Sequence, residues 1–400
     1  VTSTVTSAPP AFPLVREDPL LPPADYVAWR EEAPARQVTL QDGSMAWVVL
    51  RHAEVRQVLE DPTISRDPSV PYFPKVRAGQ TFNRNDVLLN HMDPPLHGRF
   101  RKMLAPWFTL KRISALRGEI QATVDETIDR LLTLEKPVNF HREFSLVIPS
   151  KVICRFLGID YEHHHDFERL SAVATSASAT PEEFGAAVKE LMGIVASIVD
   201  EQVDNPGDGI VGVLATKYKN GEITREQALS HVHVLIVGGH ETTAHTISQG
   251  MLLLWRNPDV LERLREHPED WVKAINEMLR IHSVADGTMT RVTTAEIDLG
   301  GVTVPANQGI IPVMTPANFD PRAWENPTKF DIDRETTNHV SLGGGIHSCL
   351  GQNLARAELE LAFETLVRRV PTLELAVPEE EVVFTRDGFV YGVRDMPVTW

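Results

Sequence analysis

Ser341-Leu342-Gly343-Gly344-Gly345-Ile346-His347-Ser348-Cys349-Leu350-Gly351 is the stretch on which the reading of this chain turns. Three consecutive glycines let the backbone come close to something flat or bulky without side-chain hindrance. The cysteine at the end of the loop stands before a helical pattern, Leu350 to Val370, where N–H groups and the helix dipole favour a thiolate. The alternative is a structural cysteine buried in a tight turn. The second cysteine, Cys154, lies far away in the apolar helical pattern Val152-Ile153-Cys154-Arg155-Phe156-Leu157. Two cysteines so placed form neither a disulfide framework nor a multi-cysteine zinc site, which leaves at least one for other work.

Working outward, Val234-Leu235-Ile236-Val237-Gly238-Gly239-His240-Glu241-Thr242-Thr243 keeps two glycines inside a helical pattern. Each costs roughly 1 kcal/mol relative to alanine. Such a pair serves either the close approach of a ligand or a groove for another helix. Glu241 followed by Thr242 offers a proton path, or Glu241 forms a salt bridge. In Glu277-Met278-Leu279-Arg280 a carboxylate and a guanidinium share one helical face, a spacing also common in solvated surface pairs. In Asp93-Pro94-Pro95-Leu96-His97-Gly98-Arg99-Phe100-Arg101, Pro95 can open a helix. His97 and Arg101 then present two donors side by side to an anion, unless His97 is an ordinary surface histidine.

The chain has 400 residues, 42 % of them apolar, enough for a sizeable core. With 39 Lys and Arg against 55 Asp and Glu, its formal charge of −16 argues against nucleic-acid binding and favours solubility. Val1 to Arg16 holds no signal-like apolar run, and nothing approaches the roughly 20 uninterrupted apolar residues of a membrane span. A cytoplasmic protein without membrane contact is expected. Residues 1–25 read as an extended Pro-rich segment running over the surface, and 26–400 as one domain.

Arg36–Leu40 and Ala46–Leu50 flank the turn signal Gln41-Asp42-Gly43-Ser44 and read as a hairpin. An irregular stretch from Ser65 to about Asn90, with Val70, Tyr72 and Phe73 among prolines, reads as a binding loop. From Pro95 to about Leu254 the periodicity is helical, interrupted at Ser171–Thr180. Thr224 and Gln227 make a capping box at the start of a helix that runs to about Trp255. Beyond Val292 short strands and turns lead to Cys349. The fold class is mainly α with small β-sheets in a single large domain.

Taken together, in their order and spacing from about Tyr26 to Trp400, these segments resemble a bacterial soluble cytochrome P450, a haem-thiolate monooxygenase. The resemblance implies the cytochrome P450 fold, with Cys349 as ligand of a haem b iron. It places Leu342, Gly343 and Gly351 in the haem loop and Gly238, Gly239, Glu241 and Thr242 on the oxygen-activating helix. His97, Arg101, Arg291 and His347 become partners of the haem propionates. Glu241 and Thr242 become the acid and alcohol that pass protons towards dioxygen. Glu277 and Arg280 match the family's Glu-x-x-Arg, and Phe330-Asp331-Ile332-Asp333-Arg334 the meander that returns Arg334 to that pair.

The same resemblance draws the substrate pocket from several segments. Val70, Tyr72 and Phe73 come from the irregular loop and Val234 and Val237 from the long helix. Val284 and Ala285 follow the Glu-x-x-Arg helix, and Phe389 and Val390 lie near the C-terminus. None supplies a fixed charge, so an uncharged or weakly polar organic substrate is expected, by family habit a secondary metabolite such as a polyketide or terpenoid. With no flavin, nicotinamide or iron–sulfur signature, electrons for O2 activation should come from a separate partner, and the resemblance implies a ferredoxin and its reductase. Arg99, Lys102 and Arg356 are candidate docking contacts, and the protein is expected to act as a monomer.

The chain departs from the family pattern at Leu342, where Phe is usual, and at Phe319, where Arg is frequent. The first is expected to affect reduction potential and haem retention but not ligation, the second only a surface contact. A zinc-hydrolase helix is excluded because His240 and His245 are five apart, about 140° from a common face. His163-His164-His165 reads as a solvated run whose members splay apart. A non-catalytic haem gas-binding protein would need no Glu241-Thr242 relay. Oxidative coupling remains open beside hydroxylation and epoxidation.

Overall fold

The computed structural model describes residues 8–76, 88–176, 179–287, 289–385 and 390–400. Thirteen α-helices and twelve short strands are found among them. The longest helix, Arg225–Arg256, has 32 residues and so spans about 48 Å. Its start follows the sequence signal: Gln227 N donates to Thr224 Oγ1 at 3.2 Å and Thr224 N donates to Gln227 Oε1 at 2.9 Å. From Thr243 to Leu254 every residue is buried, which marks it as the central helix of the core. It packs against Val147–Leu157, Pro181–Asp204 and Gln352–Arg369. Gly250 marks one closest approach, since a Cβ there would lie 2.4 Å from the Phe363 ring.

A five-stranded sheet stands beside this helical body in the order Ala35–Thr39, Met45–Val49, Gly309–Pro312, Arg291–Thr293, Ile64–Ser65. The first two strands form the expected hairpin, Ala35 opposite Val49 and Thr39 opposite Met45. The last two pair antiparallel, Ile64 opposite Thr293 and Ser65 opposite Val292.

The Pro-rich segment is not merely draped over the surface. Phe12 and Leu20 are buried in the core, and Phe12 N donates to Thr39 O at 3.0 Å. Arg16, also buried, donates to Thr315 Oγ1 at 2.9 Å. The histidine run likewise departs from expectation, because His163 ends a 3-10 turn before the helix His164–Thr175 begins. The His164 and His165 rings lie 3.7 Å apart instead of splaying.

Candidate active site

The glycine loop owes its shape to two residues. Gly343 and Gly345 sit at φ +70° and +59°, which L side chains rarely adopt. A Cβ at Gly345 would come 2.7 Å from Leu59 O, and one at Gly344 3.2 Å from the Leu59 Cβ. Gly344 and Gly345 therefore also admit the helix His52–Glu60, a close approach the sequence reading did not name. The payoff lies further on, where Cys349 N donates to Leu342 O at 2.8 Å and the cysteine lines a cavity of about 320 Å³. Burial pushes the Cys349 thiol up, outweighing the Gly351 N–H and the charges of Arg101 and Arg356, which favour the thiolate. The helix starts only at Gln352, too late for its dipole to dominate at the sulfur.

Across the long helix the two glycines divide their labour. Gly238 lines the cavity, and a Cβ there would meet nothing within 4 Å. At Gly239 a Cβ would lie 2.8 Å from Ile153 Cδ1, so this glycine also serves helix packing. Thr242 Oγ1 donates to Gly238 O at 2.9 Å and sits on the cavity wall with Thr243 and Thr246. Glu241 is buried just behind that wall.

Val234, Val284, Ala285 and Leu342 line the cavity as expected. Val237, Val70 and Val390 are not in its wall. Tyr72 is 71 % exposed, and the buried Phe73 ring packs at 6.1 Å from His91, so neither reaches the cavity. Phe389 lies outside the described residues. Ile153, Phe108 and Leu235 are among the further apolar residues of the wall, with no sequence signal beyond their helical periodicity.

Cations gather at one side. The His97 and His347 rings are 4.3 Å apart, and both line the cavity. His97 Nε2 is buried with no partner, and burial with the neighbouring arginines pushes His347 down to about 2. Arg101 Nη1 donates to Ser348 O at 2.7 Å, tying the helix Leu96–Leu104 to the cysteine loop. Arg291 is 2 % exposed, with Nε and Nη2 buried and unpartnered. On the outer face of the same helix Lys102 is exposed, while the exposed Arg99 donates to Glu222 O. Arg356 departs from the expected surface contact, being half-buried and donating to Asn276 Oδ1 at 3.0 Å.

Two ionisable groups here escaped the sequence reading. Arg66 is 1 % exposed beside the cation cluster. Glu358 lines the cavity from the helix Gln352–Arg369, with Oε2 unpartnered and burial raising its pKa well above the usual carboxyl range. Its signal was legible, since an acid at i+4 from Leu354 and three before Leu361 falls on the buried face of a helix.

The Glu-x-x-Arg pair is buried, not solvated. Arg280 donates twice to Glu277, Nε to Oε2 and Nη2 to Oε1, both at 2.7 Å, and Arg334 Nε donates to Oε1 at 3.2 Å. Phe319 corrects an expectation, for it is 2 % exposed and its ring lies 5.4 Å from the Arg280 guanidinium. Aromatic packing under a buried cation, not a surface contact, is what this residue supplies. His240 Nδ1 bonds Ile236 O and the His245 ring stacks on His141. No group of three metal-capable side chains occurs among the described residues.

A flat cofactor bearing two carboxylates and an iron fits these groups. It would satisfy the orphaned nitrogens of Arg291 and His97, take the Cys349 sulfur as a ligand of its iron, and find room beside Gly238. A cavity-lining thiol beside buried cations in a helical fold is the arrangement a haem-thiolate protein needs. The Cytochrome P450 family profile matches residues 181–270 and 271–388, and pentalenic acid synthase of Streptomyces avermitilis is 39 % identical over 399 residues, 99 % of each chain. The chain belongs to the cytochrome P450 family, and with that family come a haem cofactor, an organic substrate and redox partners. The structure of mycinamicin VIII C21 methyl hydroxylase from Micromonospora griseorubida, bound to mycinamicin VIII, is 33 % identical, covering 98 % of this chain and all of that one, with a TM-score of 0.93. A putative thioether synthase of the griseoviridin tailoring step is also similar, at 30 % identity and a TM-score of 0.93, covering 98 % of this chain and 100 % of that one. No helix among the described residues is long and apolar enough to cross a membrane.

Proposed function

We propose that this cytochrome P450 inserts one oxygen atom from O2 into an apolar or weakly polar organic molecule, by hydroxylation or epoxidation, in secondary-metabolite biosynthesis. The observation that carries this reading is that Cys349, Gly238 and Thr242 share the walls of one largely apolar cavity. Haem b, when bound, supplies dioxygen binding and one-electron chemistry. Cys349 would ligate its iron, while His97, Arg101, Arg291 and His347 would hold its carboxylates.

The chain's own residues then do the rest. Val234, Leu235 and Ile153 exclude water and hold the substrate by burial. Val284 and Ala285 add no charge, which suits a neutral polyketide or terpenoid. Thr242 Oγ1, resting on Gly238 O, releases that carbonyl to hand a proton into the cavity, and Glu241 behind it replenishes the proton. Glu277, Arg280 and Arg334 hold the meander. A ferredoxin and its reductase supply electrons, with Lys102 and Arg99 on the outward face of their helix as docking contacts. A coupling reaction is the second reading, favoured by the likeness to the putative thioether synthase.

Turnover under 18O2 with a ferredoxin, its reductase and a panel of neutral metabolites tests insertion: one labelled atom per product is expected. Product lacking label and two hydrogens lighter would replace insertion by coupling. The thiolate-type band of the ferrous carbon-monoxide adduct should survive Cys154→Ala and vanish in Cys349→Ala; the reverse result would move the ligand to Cys154.

A further inference from the structure

We propose that Arg66 is a further anchor for the haem carboxylates, acting with Arg291 from the facing position of the small sheet. This rests on the haem reading above. Ile64 faces Thr293 and Ser65 faces Val292, so the next step of the same antiparallel register sets Arg66 opposite Arg291. Like charges at directly facing positions repel, and here both guanidinium groups are buried, at 1 % and 2 % exposure. An arrangement of this kind persists when an anion lies between or beside the two cations.

Among the described residues little negative charge stands beside them. Asp93 is the acid that acts on both, and its carboxylate already accepts the Arg66 backbone N–H at 2.9 Å and the Ser65 hydroxyl. Arg101 adds another cation nearby, spent in part on Ser348. Arg66 is not itself in the cavity wall but rests on it, with Nε donating to Asn90 O at 2.8 Å and Nη1 at 3.2 Å from Met289 Sδ. Asn90 and Met289 are both cavity walls. At Arg291 burial lowers the pKa most and the Arg66 charge next, as expected of two close buried guanidinium groups. Two haem carboxylates would neutralise this cluster and satisfy the orphaned Nε and Nη2 of Arg291. A carboxylate on the substrate is the competing occupant, disfavoured because these neighbours are the propionate partners and not the apolar wall.

The test is haem loss to excess apomyoglobin from the wild type, Arg66→Met and Arg66→Lys, each loaded with native haem or with the haem dimethyl ester. Removing charge-assisted hydrogen bonds to a carboxylate should speed loss of native haem about ten- to a hundredfold in Arg66→Met. Arg66→Lys should recover most of that retention. With the diester, wild type and Arg66→Met should lose cofactor equally fast, because the carboxylates are gone. Unchanged loss of native haem in Arg66→Met, whether or not it weakens acidic substrates, overturns the proposal. So does an equal acceleration with the diester, which would mean that Arg66 only props the fold. Absence of the thiolate-type band in the wild type would instead sink the haem reading beneath it.

Discussion

Two buried charge clusters sit in this molecule, and they are built on opposite plans. Around Glu277 two guanidinium groups meet one carboxylate, and the surplus donors end on carbonyls: Arg280 Nη1 on Asn318 O at 2.6 Å and Arg334 Nη2 on Asn326 O at 3.1 Å. Around Arg291 the cations Arg66 and Arg101 gather with Asp93, and two Arg291 nitrogens stay unpartnered. A closed cluster repays its own desolvation and fixes architecture. An open one is a liability until an anion arrives, which makes it a binding site.

The sharpest way to break this comparison is Glu277→Ala. It strands Arg280 and Arg334 without a countercharge and should cost about 3–5 kcal/mol, read as a lower midpoint in denaturant unfolding. A midpoint equal to wild type would mean that the cluster is not closed after all. Arg291→Met should behave in the opposite sense. Haem-free protein should be as stable as wild type or more so, while native haem is lost about tenfold faster or more. If the haem-free variant fell as far as Glu277→Ala, both clusters would be structural and the contrast would collapse.

A third kind of buried group is neutral by necessity. Burial alone pushes His141 from 6.5 to about 4, although its Nδ1 bonds Ser248 Oγ at 2.9 Å. The folded value lies below the unfolded one, so on acidification the unfolded chain takes the proton first. Stability from this residue is complete above about 6.5 and is lost as pH falls towards about 4. His141→Gln should flatten the slope of stability against pH in that window by up to about 1.4 kcal/mol per pH unit. An unchanged slope would show that His141 is already charged in the fold.

The smallest effect separates the paired glycines. Gly238→Ala should stabilise the haem-free protein by up to about 1 kcal/mol, because the new methyl meets open space. Gly239→Ala should gain less or lose stability, since Ile153 must shift from 2.8 Å. A reversal of that order in thermal unfolding would exchange the packing and cavity faces of the long helix.

The sequence by itself determined whatever is local or carried by ordered motifs. The capping box at Thr224 and Gln227, the hairpin around Gly43 and the helix beyond Cys349 follow from side chains a few residues apart. Cys349 was singled out by its place in a glycine-rich loop, and the fold sets it on the cavity wall. Tertiary structure alone decided where distant segments meet. It brought Arg66 close to Arg291 through a strand pairing that joins remote parts of the chain, and slid Phe319 beneath Arg280. It also set both glycines on the cavity wall but brought Ile153 against Gly239 alone, and kept Tyr72 in solvent. The reason is physical: periodicity states which face of an element is buried, but what that face is buried against depends on packing and register between elements, which no local pattern encodes.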